Sequence, residues 1–161
     1  MTPAIVAAQR AGLTHRVHEY EHDPSAASYG LEAAEALGLS PERVFKTLVV
    51  KVSGRREGKD GLAVGVVPVH RQLDLKAIAR ALGARKAAMA DTTEAERATG
   101  CVVGGISPLG LKRPLPMVVD ASAAEHETVN VSAGRRGLEI ELSPDDLVTA
   151  CRAELAAIAR D

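Results

Sequence analysis

Three groups of residues in this chain could do chemistry. The first is Lys46, set inside the apolar, β-branched run VFKTLVV at 44–50. In an extended chain successive side chains alternate faces, so Lys46 shares a face with Val44, Leu48 and Val50, and Phe45, Thr47 and Val49 take the other. An unpaired ammonium buried there would cost several kcal/mol. Three escapes are open: an edge strand from which the stem snorkels to water, a buried carboxylate partner, or a cleft that the amine lines. The second group is Gly104-Gly105 in CVVGGISPLG. Adjacent glycines in a strand add backbone entropy and bury nothing, which either a bulge or a closely approaching ligand explains. In the second case their N–H groups would meet a ligand carbonyl, as an oxyanion site does. The third is the hairpin ETVNVSAGRRGLEIELS. Pairing Val131 with Ile140 and Val129 with Leu142 on the apolar face sets Ser132 opposite Glu139 and Asn130 opposite Glu141 on the polar face. Directly opposed Cβ atoms lie about 5 Å apart, so Ser132 and Glu139 are within reach of shared hydrogen bonds. An ordinary solvated face has the same pattern.

Other chemistries fail on spacing. Of the five histidines, His18 and His22 share a face if their strand continues, but about 13 Å of strand separates them. Zinc ligands sit about 2 Å from the ion, so the two cannot share one. GISPLG lacks the second glycine of a G-x-S-x-G nucleophile elbow, since Leu109 stands in its place. No phosphate-binding glycine loop appears. Cys101 has no histidine nearby in sequence and reads as a small buried hydrophobe.

The elements that must position these groups are legible from caps and periodicity. Thr2-Pro3 and Gly12 bound a helix over 3–11, and 15–20 alternates as a strand. A loop over 21–30 leads to a helix over 31–38. Residues 44–52 and 62–69 read as a strand pair joined by the charged, glycine-punctuated SGRREGKDG. Asp74 caps a helix that Gly83 ends, 85–90 is a further strand, and Asp91 caps a helix over 91–100 with Glu94 three residues on. CVVGGI, LPMVVDA, ETVNVSA and LEIELS read as four strands. Ser143-Pro144 opens a final helix with Leu147, Ala150, Cys151, Leu155 and Ile158 along one face. Helices mixed with adjacent strands predict an α+β fold.

With 161 residues, the chain is sized for one domain spanning 1–161. Twenty basic residues against 21 acidic ones disfavour a general nucleic-acid coat-binder, while leaving room for contact with the end of a nucleic acid. Tyr20, Tyr29 and Phe45 are the only aromatics, too few for a base-stacking surface. Two cysteines point to no disulfide framework and to the reducing cytoplasm. MTPAIVAAQRAG is no signal peptide, and no apolar run approaches the roughly 18 residues of a membrane span.

Jointly, EYEHDP (19–24), VFKTLVV (44–50), QLDLKAIARALGARK (72–86), MAD (89–91), TGCVVGGISPLG (99–110) and SAGRRGLEIEL (132–142) follow one another as in the bacterial YbaK-type deacylases. These resemble the editing domain inserted in bacterial prolyl-tRNA synthetases, and the resemblance runs from residue 2 to residue 160. It implies a single α+β domain with a mixed, mostly antiparallel, partly barrel-like sheet. The implied activity is trans-editing: hydrolytic removal of cysteine from mischarged Cys-tRNA(Pro), and from Cys-tRNA(Cys). Lys46 matches the family's essential lysine, Gly104 the first of the paired glycines that meet the aminoacyl group, and Ser132 the active-site serine. Glu139 departs from the family's aspartate by one methylene, about 1.5 Å of reach. Tyr20 matches a tyrosine at the pocket mouth, and Gly105, Ile106, Ser107 and Pro108 fall with it on the substrate side. The implied mechanism needs no metal or cofactor, because the substrate's own thiol attacks its ester. The implied partners are the aminoacyl-tRNA acceptor end and prolyl-tRNA synthetase, and no membrane. The rivals are deacylation of another amino acid, such as alanine on tRNA(Pro), by water, and a non-catalytic module that binds aminoacyl-tRNA or a synthetase. Arg55-Arg56-Lys59, Arg85-Lys86, Lys112-Arg113 and Arg135-Arg136 are basic clusters that would meet phosphate if they converge on the cleft.

Overall fold

The computed structural model describes residues 1–26 and 28–161. Local signals set most of its elements. Thr2 caps helix α1 (Pro3–Arg10), its hydroxyl accepting from Ile5 N–H at 3.3 Å, and strand β1 (His15–Glu19) follows. Ser28 caps α2 (Tyr29–Ala36). The apolar run forms β2 (Phe45–Ser53) and returns as β3 (Gly61–Pro68). In the turn between them, Asp60 Oδ1 accepts from the N–H groups of Gly54 and Arg55 at 2.9 and 3.3 Å. After β4 (Gln72–Leu73), Asp74 caps α3 (Leu75–Ala81), and after β5 (Lys86–Met89), Asp91 caps α4 (Thr92–Thr99). Then come β6 (Met117–Asp120), the hairpin of β7 (Val129–Arg135) and β8 (Leu138–Leu142), and α5 (Pro144–Cys151). The short strands β9 (Glu154–Ala156) and β10 (Ala159–Arg160) end the chain.

The strands assemble into a five-stranded sheet β5-β2-β3-β6-β9, a three-stranded sheet β1-β8-β7 and a β10-β4 pair. Pairing is antiparallel except at β3·β6 and β6·β9. The fold is therefore the expected α+β with mixed, mostly antiparallel sheets. The larger sheets meet through a Val44–Asn130 bridge and do not close into a barrel.

Burial on both faces explains why β2 and β3 are so uniformly apolar. Phe45, Val64 and Val66 pack with Val131, Ile140 and Leu147 under the three-stranded sheet and α5. Val50, Val52, Ala63 and Val67 pack on the opposite side against Ile78 and Leu82 of the α3 segment.

Two expected elements differ. Residues 101–106 are not a strand but a loop, in which Gly104 adopts φ +90° and Gly105 N–H closes a turn on Val102 C=O at 2.8 Å. The final helix stops at Cys151, where Arg152 turns left-handed at φ 51°. The apolar spacing of 144–158 fits a longer helix, but parallel pairing of Glu154–Ala156 with β6 draws the chain out straight. Leu155 is thereby exposed, while Ile158 is fully buried in the α3-side core.

Asp120 secures that straightened end. Its buried carboxylate accepts from Ile158 N–H at 2.8 Å, Ala159 N–H at 2.9 Å and Ser122 N–H at 3.2 Å, and from the Ser122 hydroxyl. Burial acts to raise its pKa, but these hydrogen bonds outweigh burial and hold it below the ordinary value. A depressed carboxylate contributes stability above its unfolded pKa and loses it as pH falls through the folded one. Asp120→Ala should cost at least about 2 kcal/mol in urea unfolding at pH 7, since three N–H groups lose their acceptor. The deficit should shrink once the pH drops below the carboxylate range.

Candidate functional site

Strand β2 is flanked unevenly. Strand β3 pairs with it from Phe45 to Val52, whereas β5 pairs only with Val50–Ser53 and β7 bridges only to Val44. Val49 C=O accepts from Ala90 N–H at 3.1 Å on the β5 side. Hydrogen-bonding direction alternates along an antiparallel strand. Thr47, two residues earlier, therefore turns its main-chain N–H and C=O to that same side, where no described strand pairs with it. A cavity of about 360 Å³ occupies the gap, within the size range of small-molecule sites.

Lys46 lines this cavity and is half-buried, and burial alone lowers its pKa. Among the described residues no carboxylate lies within 4.0 Å of its amine. Its strand is interior to the sheet, so of the three escapes open to this lysine, the structure takes the cleft.

Glu139 reaches the same cavity from β8. Register with β7 is as the alternation requires, Val131↔Ile140, Val129↔Leu142, Asn130↔Glu141 and Ser132↔Glu139. The polar face is not solvated throughout, however, because Asn130 is fully buried and Glu139 is 5% exposed. Burial pushes the Glu139 carboxyl up to about 8, with no hydrogen bond or cation opposing the shift. Lys46 and Glu139 thus share one cavity without forming an ion pair. Ser132 does not bond Glu139 either. A bulge follows it, and its Oγ accepts from Gly134 N–H at 3.2 Å.

Tyr20 closes one side, its N–H donating to Gly137 C=O at 3.0 Å. Burial raises its phenol, the Gly137 backbone opposes that rise, and the charges of Glu139 and Glu32 add to it. Gly104 lines the cavity at φ +90°, where a Cβ would stand 2.6 Å from Tyr29 Cδ2 and 2.9 Å from Arg136 Nε. Glycine is required there both for its backbone angle and for the close aromatic.

Of the residues expected on the substrate side, Tyr20 and Ile106 line the cavity with Lys46, Gly104, Ser132 and Glu139. Gly105, Ser107 and Pro108 lie outside its lining. Gly105 has given its N–H to Val102, and a Cβ on it would meet the Arg135–Arg136 backbone at 2.7 Å. Ser107 is fully buried, its Oγ accepting from Leu109 N–H at 3.2 Å, and Pro108 C=O receives the Cys151 thiol at 3.4 Å. These three hold the loop's shape. The main-chain donor facing the gap comes from Thr47, not Gly105.

Three lining or supporting residues escape the sequence reading. Thr47 presents a buried hydroxyl with no partner beside its open main chain. Tyr29 forms a wall, and Arg136 lies over its ring at 4.4 Å while donating from Nε and Nη2 to Val103 C=O at 2.9 and 2.6 Å. That clamp ties the β7–β8 turn to the glycine loop. Tyr29 did carry a signal, being one of three aromatics in the chain.

Residues 23–150 match the family described as the aminoacyl-tRNA editing domain. The chain belongs to that family. It is 36% identical over 154 residues to EbsC of Enterococcus faecalis, whose name proposes a Cys-tRNA(Pro)/Cys-tRNA(Cys) deacylase, covering 94% of this chain and 91% of that one. Over 128 residues it is 29% identical to the multifunctional Ser/Thr-tRNA deacylase ProXp-y of Escherichia coli K12, covering 79% and 75%. The crystal structure of hypothetical protein APE2540 superposes with a TM-score of 0.85 at 26% identity, covering 99% and 100%. A proposed trans-editing enzyme for prolyl tRNA synthetase shares the fold, at TM-score 0.78 and 24% identity, with coverage of 100% and 99%.

The buried carboxyl of this editing domain has a thermodynamic consequence. A raised folded-state pKa favours the fold most below the unfolded pKa, and the benefit is lost as pH rises toward about 8. Glu139→Gln should therefore gain stability relative to the parent between pH 5 and about 8, by on the order of a few kcal/mol, and the gain should level off above that. Urea unfolding at both ends of the window checks this. An unchanging difference would show that Glu139 titrates normally.

Proposed function

We propose that this protein is a trans-editing aminoacyl-tRNA deacylase that removes cysteine from mischarged Cys-tRNA(Pro), and from Cys-tRNA(Cys), in the cytoplasm. The whole chain acts as one editing domain, and prolyl-tRNA synthetase is the partner that supplies its substrate. The supporting observation is a cavity holding a lysine and a glutamic acid that do not neutralise each other, on a chain of the editing family. An unpaired ammonium and a proton-holding carboxyl need a polar ligand between them. An aminoacyl ester with a thiol fits that need.

In this reading Lys46 stabilises the negative charge that develops on the ester oxygen, with the Thr47 main chain orienting the aminoacyl group. The Glu139 carboxylate takes the proton of the substrate thiol, and the sulfur attacks the carbonyl carbon. The C–S bond forms, the C–O bond to the terminal ribose breaks, and the ribose oxygen leaves with the proton from Glu139. Free tRNA and a cyclic thioester result, and water opens the thioester to cysteine. Ser132 and Tyr20 hold the aminoacyl group in place. The E. coli Ser/Thr-tRNA deacylase relative keeps a second reading open, in which water attacks a different aminoacyl ester.

Incubation with Cys-, Ala-, Ser- and Pro-tRNA(Pro), following loss of the aminoacyl bond, separates these readings. Fastest loss from Cys-tRNA(Pro) is expected. Comparable loss from Ala- or Ser-tRNA would replace substrate-thiol attack with water, and no loss from any would leave a binding module. Lys46→Ala should lower the Cys-tRNA(Pro) rate about 10²–10³-fold, and a folded variant at the parent rate would remove Lys46 from the mechanism. Because the carboxylate form of Glu139 is the base, the parent rate should climb with pH up to about 8 and then flatten. Glu139→Gln should abolish that rising limb.

A further inference from the structure

The basic clusters of the sequence do not all remain free in the fold. Arg55 Nε donates to Leu82 C=O at 3.3 Å, and its guanidinium lies against Gly58. The stem of Arg85 packs over Gly54. Arg136 is spent on Val103 and Tyr29, and Arg135 approaches Glu19 at 4.0 Å. Lys112 and Arg113 are different. They are exposed and join the exposed Arg97 of α4 along a groove of about 440 Å³.

Acids near the groove are engaged elsewhere. Glu94, which also lines it, pairs with Lys51 at 3.1 Å, and Glu96 Oε2 accepts Val103 N–H at 2.9 Å. Among the described residues no carboxylate lies within 4.0 Å of Arg97, Lys112 or Arg113. Three like charges around one concavity concentrate a positive field and attract an anion of repeating charge.

Position decides which anion. Helix α4 is the wall between groove and cavity: Thr92 and Ala95 line the cavity, and Arg97 and Ala98 line the groove. From Thr92 to Arg97 the helix rises about 7.5 Å, or roughly two nucleotide steps at about 3.4 Å per step. A phosphodiester chain leading away from an ester seated in the cavity would reach the groove by crossing α4.

We propose that Arg97, Lys112 and Arg113 form the phosphate-binding surface that holds the RNA strand just inside the aminoacylated 3′ end. This rests on the deacylase reading above. The groove carries affinity for the backbone and no discrimination among aminoacyl groups, which the cavity alone performs.

The test is the full-length triple variant Arg97→Ala/Lys112→Ala/Arg113→Ala, whose substitutions are all on exposed side chains. Two substrates are compared, Cys-tRNA(Pro) and 3′-cysteinyl-adenosine, an ester without the neighbouring phosphates. The KM for the tRNA should rise at least tenfold with kcat unchanged, while turnover of the adenosine ester stays at the parent value. Binding of an uncharged tRNA(Pro) acceptor-stem minihelix, read by fluorescence anisotropy, should lose about two to three units from its log–log salt slope. An unaltered KM and salt slope would overturn the proposal, as would an equal loss on the adenosine ester. If the parent turns over neither ester, the deacylase reading fails. Minihelix binding then judges the groove by itself, a smaller salt slope in the variant upholding it and an unchanged one rejecting it.

Discussion

A strand inside a sheet with one edge partly uncovered is the constraint from which the rest of this molecule follows. Main-chain N–H and C=O groups that face neither a partner nor water are expensive. In β2 the missing partner lies between the Val44 bridge and Val50, and the uncovered stretch carries Lys46 and Thr47. A second strand there would have made an ordinary core. Instead the gap is walled by the start of α2, the turn before α4, the glycine loop and the β7–β8 hairpin. Among the described residues, the Thr47 hydroxyl is left without a hydrogen-bond partner and the Lys46 amine without a carboxylate.

That arrangement accounts for both unusual titrations. Lys46 and Glu139 are shifted in opposite directions by the same cause, removal from water, and neither is rescued by the other. In an ion pair each would have been drawn toward its charged form. Keeping them apart costs stability, and clefts that do chemistry commonly carry such pairs of titratable groups.

Much of this was legible because alternation and capping are local. The Ser132–Glu139 register follows from the apolar period of two short strands, and the β2–β3 pair from an apolar run of matching length on each side of a charged turn. Thr2, Asp74, Asp91 and Ser143 each cap a helix through a side-chain oxygen. What lay beyond reach depends on distant partners. Residues 101–106 have a strand's composition but bend because Gly104 sits under Tyr29 and Gly105 against the 135–136 backbone. Leu155 and Ile158 keep a helix's spacing, but pairing with β6 draws Leu155 into β9, and Ile158, between β9 and β10, is tied by its N–H to Asp120. The open edge at Thr47 is invisible in sequence, since it consists of a neighbour that stops short.

The central claim is that Glu139 sits buried and unpartnered in the cavity and holds its proton through neutral pH. It is tested most directly by a carbon-13 NMR titration of the side-chain carboxyls in the full-length protein, with Glu139→Gln identifying the resonance. The account predicts a midpoint near 8 for this carboxyl. A midpoint in the ordinary glutamate range, about 4.3, would contradict it and return Glu139 to the solvated face of a hairpin.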